Sequence, residues 1–208
     1  MDLAYKNYIE IPTPILDNIE RNSFINRHES VLDFGCKYGV ELFDAFHSIF
    51  EKIHKAPYKL VGVDIDSYGK SLYENYHIYC NAMSTKGIKS IFQNEIDFNT
   101  RFSFREMDMK NFHFNDETYG LIIARNSLHF MPANERLEMI EKMYNGLNRW
   151  GLFYSRLFIG GNEDGQKRYP FEMKEIDQWK SIFKNEPLHS MLENNNGEIC
   201  YDLVFRKN

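Results

Sequence analysis

From residue 31 onward, short apolar runs alternate with longer stretches whose apolar positions recur at helical spacing. Val31-Leu32-Asp33-Phe34 is an apolar run closed by Gly35, the pattern of a buried strand entering a tight turn. Between Val40 and Ile53, the residues Leu42, Phe43, Phe46, Ile49, Phe50 and Ile53 fall on one helical face. Leu60-Val61-Gly62-Val63-Asp64 reads as a second strand, with Asp66 and Ser67 as helix N-cap candidates after it. Phe102-Ser103-Phe104 alternates like a strand leading to Asp108, and Leu121-Ile122-Ile123-Ala124 has the composition of a central strand. Pro132 can open a helix with Leu137, Ile140, Tyr144 and Leu147 in one stripe. Gly151 then opens a strand from Leu152 to Phe158.

Strands separated by helices imply crossover connections and a parallel sheet covered on both faces. The tail breaks that rhythm. After a helix around Glu172 to Phe183, the strands Leu188–Leu192 and Ile199–Phe205 are joined only by the turn Asn194-Asn195-Asn196-Gly197, so they must run antiparallel. The expected class is α/β: a doubly wound, mostly parallel seven-stranded sheet with a C-terminal antiparallel hairpin. Residues 67–101 are long for one crossover and predict a helix through Tyr76 and a second around Lys86 to Phe92. Pro12 and Pro14 before Ile15-Leu16-Asp17-Asn18-Ile19 predict an N-terminal helical cap within 1–28.

Composition narrows the partners more than the fold. A chain of 208 residues with 43% hydrophobic residues can fill one large core, and no linker-like stretch divides it, so 1–208 reads as a single domain. The formal charge of −5 is spread with mixed signs and leaves no basic stripe, so nucleic acid is not indicated. Cys36, Cys80 and Cys200 are widely spaced with no Cys-x-x-Cys, which argues against a disulfide framework and against a metal site. The opening MDLAYKNYIEIPTP has no apolar core of signal-peptide length, and no later run reaches the roughly 18 apolar residues of a membrane span. The expectation is a cytoplasmic protein with no membrane partner.

In an open parallel sheet, ligands bind where the carboxyl ends of the strands meet the loops. Asp33-Phe34-Gly35-Cys36-Lys37-Tyr38-Gly39, after Val31-Leu32, resembles the first motif of the class I S-adenosylmethionine (SAM)-dependent methyltransferases: an acidic residue, then glycines at alternate positions. Four landmarks follow in the family's order and extend the resemblance over nearly the whole chain. They are Asp64 ending the second strand, Asp108-Met109 after the third, Tyr119 to Met131 around the fourth, and Asn148-Arg149-Trp150-Gly151 before the fifth. The resemblance implies a Rossmann-like methyltransferase fold with SAM as cofactor. It implies a cofactor-binding set of Asp33, Gly35, Cys36, Gly39, Asp64, Ile65, Asp108, Met109 and Asn126. In that set Asp64 takes the ribose hydroxyls, because an ionised carboxylate accepts two hydrogen bonds from a vicinal diol. Asp108 accepts from the adenine amino group, and Met109 offers a backbone N–H and an apolar side chain to the ring.

The match has departures. Lys37 stands where the motif has its middle glycine, a position that favours glycine for close approach or for positive φ. Gly120 stands where the family commonly has an Asp. Plainer readings remain open beside the functional ones. Asp33, Asp64 and Asp108 can be loop or helix caps, Cys36 a small buried hydrophobe, and Lys37 a solvated side chain or a partner for the methionine carboxylate. His129, together with Asn126, Ser127 and Leu128, lies where the family has the methyl group. It reads either as an acid–base or substrate contact, or as a histidine bonded to backbone. Tyr154 and Arg156 share a strand face as acceptor-binding candidates, and Arg156 in an apolar strand needs a partner, either a structural counter-ion or a bound anion. His47, His54, His77 and His113 read as surface or core fillers.

Methyl transfer from a sulfonium needs mainly a positioned, desolvated nucleophile. The chain has neither the Asn/Asp-Pro-Pro-aromatic tetrapeptide of base-amino DNA methyltransferases nor an evident cysteine nucleophile motif. With little chain appended to the core, a small-molecule acceptor leads, and protein or RNA acceptors stay open. The alternative is a catalytically inactive methyltransferase-like binding protein, which Lys37 and Gly120 support. A nicotinamide-dependent oxidoreductase would need Gly-x-Gly-x-x-Gly after the first strand, which this turn lacks.

Overall fold

The computed structural model of the protein describes residues 30–53, 59–159, 169, 171–195 and 198–208. The expected cap within 1–28, the Gly160-Gly161 segment and the Asn196-Gly197 end of the hairpin turn lie outside the described residues. Two compact units make up the chain, Met1–Phe112 and His113–Asn208.

The first unit holds three parallel strands, β1 (Val31–Phe34), β2 (Leu60–Asp64) and β3 (Phe102–Glu106), with Val31 opposite Leu60 and Leu60 opposite Phe102. Helix α1 (Val40–Ile53) follows β1 and buries Leu42, Phe43, Phe46 and Ile49, while Phe50 at the edge of that stripe is exposed and stacks on Phe46. The crossover from β2 to β3 begins with a single 3-10 turn, Ser67–Ser71, and runs into α2 (Leu72–Ala82). The helix expected over Lys86–Phe92 does not form. Gly87 adopts φ 84 and ends the turn Ser84–Lys86, and Phe92 instead packs into an aromatic core. The next helix, α3 (Glu95–Asn99), starts later because the Asn94 side chain accepts a hydrogen bond from the Asp97 amide at 2.9 Å. Phe43, Phe46, Tyr76, Phe92, Phe98 and Phe102 interlock, with Phe98 and Phe102 stacked at 4.3 Å. Each such ring is worth about 1.5–3 kcal/mol of burial.

A polar pocket interrupts this core. His47 on α1 is buried and bonds through Nε2 to the Tyr76 hydroxyl at 3.0 Å, with the Cys80 thiol 3.9 Å from the same nitrogen. Beside it the Tyr79 hydroxyl donates to Asp44 at 3.4 Å. Burial lowers the pKa of His47 to about 4.

The second unit holds β4 (Tyr119–Arg125), β5 (Leu147–Phe158), β6 (His189–Asn195) and β7 (Glu198–Arg206). β4 and β5 are parallel, and β7 runs antiparallel to both β5 and β6, as the tight hairpin requires. β5 starts earlier than Leu152, at Leu147, and the extra residues contain Trp150 at φ 70 beside a register shift in β4. Helix α4 (Ala133–Gly146) buries Arg136, Met139, Ile140 and Met143, whereas Leu137 and Tyr144 are only half-buried. The helix is thus turned by about one residue from the expected stripe. The cause is Arg136, which points inward to a bidentate pair with Glu175 at 2.8 and 2.9 Å. Glu175 lies on α5 (Lys174–Phe183), whose Ile176, Trp179 and Phe183 are also buried. The seven strands follow the order β3-β2-β1-β4-β5-β7-β6, the expected mostly parallel sheet with its antiparallel end.

The His47 pocket sets a pH dependence with a definite sign. The folded pKa of about 4 lies below the unfolded value, so the unfolded chain takes up the proton first as pH falls. The stability contributed by keeping this imidazole neutral is complete above about pH 6.5 and is lost as pH falls toward about 4, a change of about 3 kcal/mol. Urea unfolding across that window should show this slope in the parent and a flatter one in His47→Gln. Equal slopes in the two proteins would clear His47 of the effect.

Candidate cofactor site

The turn after β1 has an alternating backbone: Gly35, Lys37 and Gly39 take φ values of 76, 48 and 83. At Gly39 a Cβ would lie 2.6 Å from Leu72 and 2.9 Å from Phe43, so no side chain fits. The Gly35 amide donates to the Val63 carbonyl at 2.8 Å, and Gly39 closes the turn on Cys36 at 2.7 Å. Cys36 is buried against Gly62, where an added Cβ would meet its sulfur at 2.6 Å. Burial pushes its thiol pKa well up, and the nearby Asp33 and Asp64 carboxylates add to this, so it is an inert packing group.

Lys37 keeps the left-handed conformation that glycine would adopt there. Its side chain is exposed, with Nζ 5.7 Å from the Tyr38 ring, and its amide donates to Asp64 Oδ2 at 2.8 Å. The other carboxylate oxygen of Asp64 accepts the Asp66 amide at 2.9 Å. The Asp64 carbonyl accepts the Met107 amide at 2.8 Å, which ties the end of β2 to the end of β3. Asp64 is half-buried, with Ile65 (68% exposed) and Tyr68 (47%) beside it in sequence. A carboxylate has about four acceptor positions, so each oxygen keeps one direction for a ligand. Asp108 accepts the Lys110 amide at 2.9 Å and caps the short turn Met109–Asn111, and Met109 is half-buried.

In the second unit, Asn126 follows β4 at φ 54, and its amide donates to the Arg156 carbonyl at 3.0 Å. Asn126 Oδ1 and the buried hydroxyl of Ser127 have no hydrogen-bond partner among the described residues. His129 is buried, with its ring 4.2 Å from Phe130 and edge-on to Phe158 at 4.9 Å, and its carbonyl accepts the Tyr169 amide at 2.7 Å. Tyr154 and Arg156 converge on Asp202 of β7: the phenol donates at 2.9 Å and the guanidinium pairs at 3.2 Å, all three groups being buried. Burial, and then the Asp202 charge, push the Tyr154 hydroxyl pKa well up.

No protein-family model matches the chain. Over 182 residues it is 22% identical to carboxy-S-adenosyl-L-methionine synthase of Actinobacillus pleuropneumoniae serotype 3 (strain JL03), an alignment spanning 82% of this chain and 66% of that protein, just under two thirds. The structure matches 1,6-didemethyltoxoflavin-N1-methyltransferase of Burkholderia thailandensis, solved with 1,6-didemethyltoxoflavin and S-adenosylhomocysteine. That match has a TM-score of 0.59 at 13% identity and covers 93% of this chain and 77% of the other. It also matches magnesium protoporphyrin IX methyltransferase of Synechocystis PCC 6803 with bound SAM, with a TM-score of 0.56 at 13% identity, covering 93% and 78%. The chain has the Rossmann-like methyltransferase fold.

In this methyltransferase fold, eight of the nine expected cofactor residues lie in the first unit, along the carboxyl ends of β1, β2 and β3 and the turns that follow. Asp33 lies in β1 and Gly35, Cys36 and Gly39 in the turn after it, Asp64 ends β2 and Ile65 follows it, and Asp108 and Met109 follow β3. Asn126, His129, Tyr154 and Arg156 belong to the second unit. The partner that Arg156 needed is Asp202, a residue the sequence reading passed over. Its signal was an Asp set between apolar residues in the strand that pairs with β5. Gly62 was missed as well, because its role depends on the sulfur across from it.

Lys37 should tolerate glycine and refuse proline. Lys37→Gly keeps the amide and suits φ 48, and relief of left-handed strain offsets the entropy of the freer unfolded chain, so stability should stay within about 1 kcal/mol. Lys37→Pro loses the bond to Asp64 and forces φ negative, at about 2 kcal/mol or more. Thermal melts of the two variants test this, and matching melting temperatures would rule out the Lys37–Asp64 joint as a constraint.

Proposed function

We propose that this chain is a SAM-dependent methyltransferase acting on a small-molecule acceptor, with 1–208 working as one methyltransferase-like domain in the cytoplasm. The observation that carries the reading is Asp64. Its carboxylate is fixed by the Lys37 and Asp66 amides, keeps an open direction on each oxygen, and stands next to exposed apolar Ile65. A vicinal diol attached to a flat ring system fits that set, so the residues suit the cofactor. Asp64 would take the ribose, Asp108 and Met109 the adenine edge, and the Gly35–Gly39 turn, with Asp33 beneath it, the methionine portion. The unpartnered Asn126 Oδ1 and Ser127 hydroxyl mark the edge after β4 as a second place where a bound molecule completes the hydrogen bonding. SAM, when bound, supplies an electrophilic methyl group. The protein's part is to orient the acceptor and keep water out.

On the acceptor side, His129 is enclosed by aromatic rings, so it would act by contact with an apolar acceptor or by taking a proton there. Tyr154 and Arg156 reach an acceptor only if Asp202 releases them, and we read them as positioning residues. The similarity to carboxy-S-adenosyl-L-methionine synthase favours one second reading, in which SAM is itself the substrate that is modified.

Calorimetry with SAM and S-adenosylhomocysteine tests the proposal. The parent should bind both. Asp64→Asn has one oxygen for two backbone amides that sit on different oxygens in the parent, and it loses the charge; it should stay folded but melt lower, and should bind about ten- to a hundredfold more weakly. Mass spectrometry of the nucleoside after turnover separates the readings: S-adenosylhomocysteine marks methyl transfer, and a heavier SAM derivative marks the second. A parent that binds neither nucleoside would falsify both.

A further inference from the structure

We propose that Arg149, Trp150 and Arg206 form a docking site for an acidic segment of a partner protein. The site belongs to the second unit and is independent of the methyltransferase reading. Trp150 is the first observation. It holds φ 70, a conformation that suits glycine and that a bulky residue adopts only under constraint. Two backbone bonds enforce it: the Trp150 amide donates to the Lys207 carbonyl and the Lys207 amide to the Gly151 carbonyl, both at 2.8 Å. The result is an indole held 42% exposed at the start of β5.

Two cations share that indole. The guanidinium carbons of Arg149 and Arg206 lie 5.1 and 5.5 Å from the ring centroid. Lys207 adds a third charge, 4.9 Å from the Tyr144 ring and donating to the Leu147 carbonyl at 2.7 Å. The Asn185 side chain bonds the Arg206 carbonyl at 2.7 Å, with exposed Lys184 and Glu186 on either side of it in sequence. Arg149 has no ion-pair partner among the described residues. Three cations, Arg149, Arg206 and Lys207, therefore gather at this end of the unit, in a chain whose net charge is −5.

Like charges gathered against the sign of the whole molecule select an anion. Guanidinium groups held over a rigid ring lose little freedom on binding and present forks that match carboxylates. Tryptophan and arginine are also the residues that dominate protein–protein hot spots. A nucleic acid fits less well. The cations form a compact cluster with no stripe to follow a backbone, and the indole already carries two guanidinium groups where a base would stack.

The test uses the full chain and a fluorescein-labelled oligoglutamate peptide, with binding read by anisotropy at low salt. The peptide should bind the parent, and added salt should weaken it. Arg149→Glu and Trp150→Gly should each weaken it about tenfold. Lys89→Glu, an exposed control in the first unit, should not. Trp150→Gly suits φ 70 and should melt no lower than the parent, and exposed Arg149 carries the test alone if it does not. Trp150 is the exposed one of two tryptophans, Trp179 being buried, so its emission should shift on binding. The proposal fails if the parent does not bind the peptide, if both variants bind as the parent does, or if single-stranded oligouridylate of equal charge binds more tightly.

Discussion

The hydrogen bond from the Lys37 amide to the Asp64 carboxylate joins the turn after β1 to the end of β2 and sets the shape of the first unit's strand-end rim. Of the three positive-φ residues in the turn after β1, two are glycines that take this conformation freely, and the third, Lys37, is anchored through its amide on Asp64. With Gly35 bonded to Val63 and Met107 bonded to Asp64, the ends of three parallel strands are stitched into one rim. The same carboxylate is thereby oriented before any ligand arrives. A group placed by two backbone amides has little rotamer freedom left to lose, and a carboxylate so held keeps acceptor capacity to spare. Fold and proposed binding chemistry meet at this one side chain.

The second unit is organised by buried charge. Arg136 with Glu175, and Arg156 with Asp202, lie in surroundings where ions are costly unless paired. Such pairs add little net stability, and losing one partner costs about 3–5 kcal/mol. Their effect is on alignment. Asp202 lies opposite Arg156 in the β5–β7 register, and a slip of one residue would turn it to the other face and strand the guanidinium. Arg136 likewise fixes how α4 turns against α5. Its Nη1 also reaches the Leu128 and Tyr169 carbonyls, so the segment carrying His129 is braced by the same cation.

What could be read in the sequence follows how local each signal is. Most strands showed as apolar runs and the third as an alternation, and the antiparallel hairpin followed from the shortness of its turn. Asp64 and Asp108 could be placed at or just past strand ends because a strand end is a sequence position. The α4 stripe was read one residue off because Arg136 scores as polar while its charge is satisfied by Glu175, 39 residues away. The helix expected at Lys86–Phe92 failed because Phe92 serves a distant aromatic core, and the helix-start signal was Asn94 three residues before Asp97. Gly62 and Asp202 were hidden for the same reason. Asp202 answers to Arg156 on another strand and Gly62 to Cys36 in the turn after β1, which hydropathy along the chain does not encode.

The departures from the family pattern can now be weighed by where they fall. A glycine in the middle of the first turn serves either a positive φ or a close approach to the ligand. Lys37 supplies the φ, at 48, and sends its side chain out over Tyr38, so the substitution changes the strain of the turn and leaves its path intact. Gly120 is buried near the start of β4, beside the register shift between Tyr119 and Leu121. That is the amino end of β4, and the Asn126 Oδ1 and Ser127 hydroxyl, without partners among the described residues, follow its other end. An Asp missing there bears on how β4 begins and leaves its carboxyl end untouched. Both features that favoured an inactive binding protein therefore lie in backbone geometry, and neither removes a polar group from the edges where a cofactor or acceptor would bind.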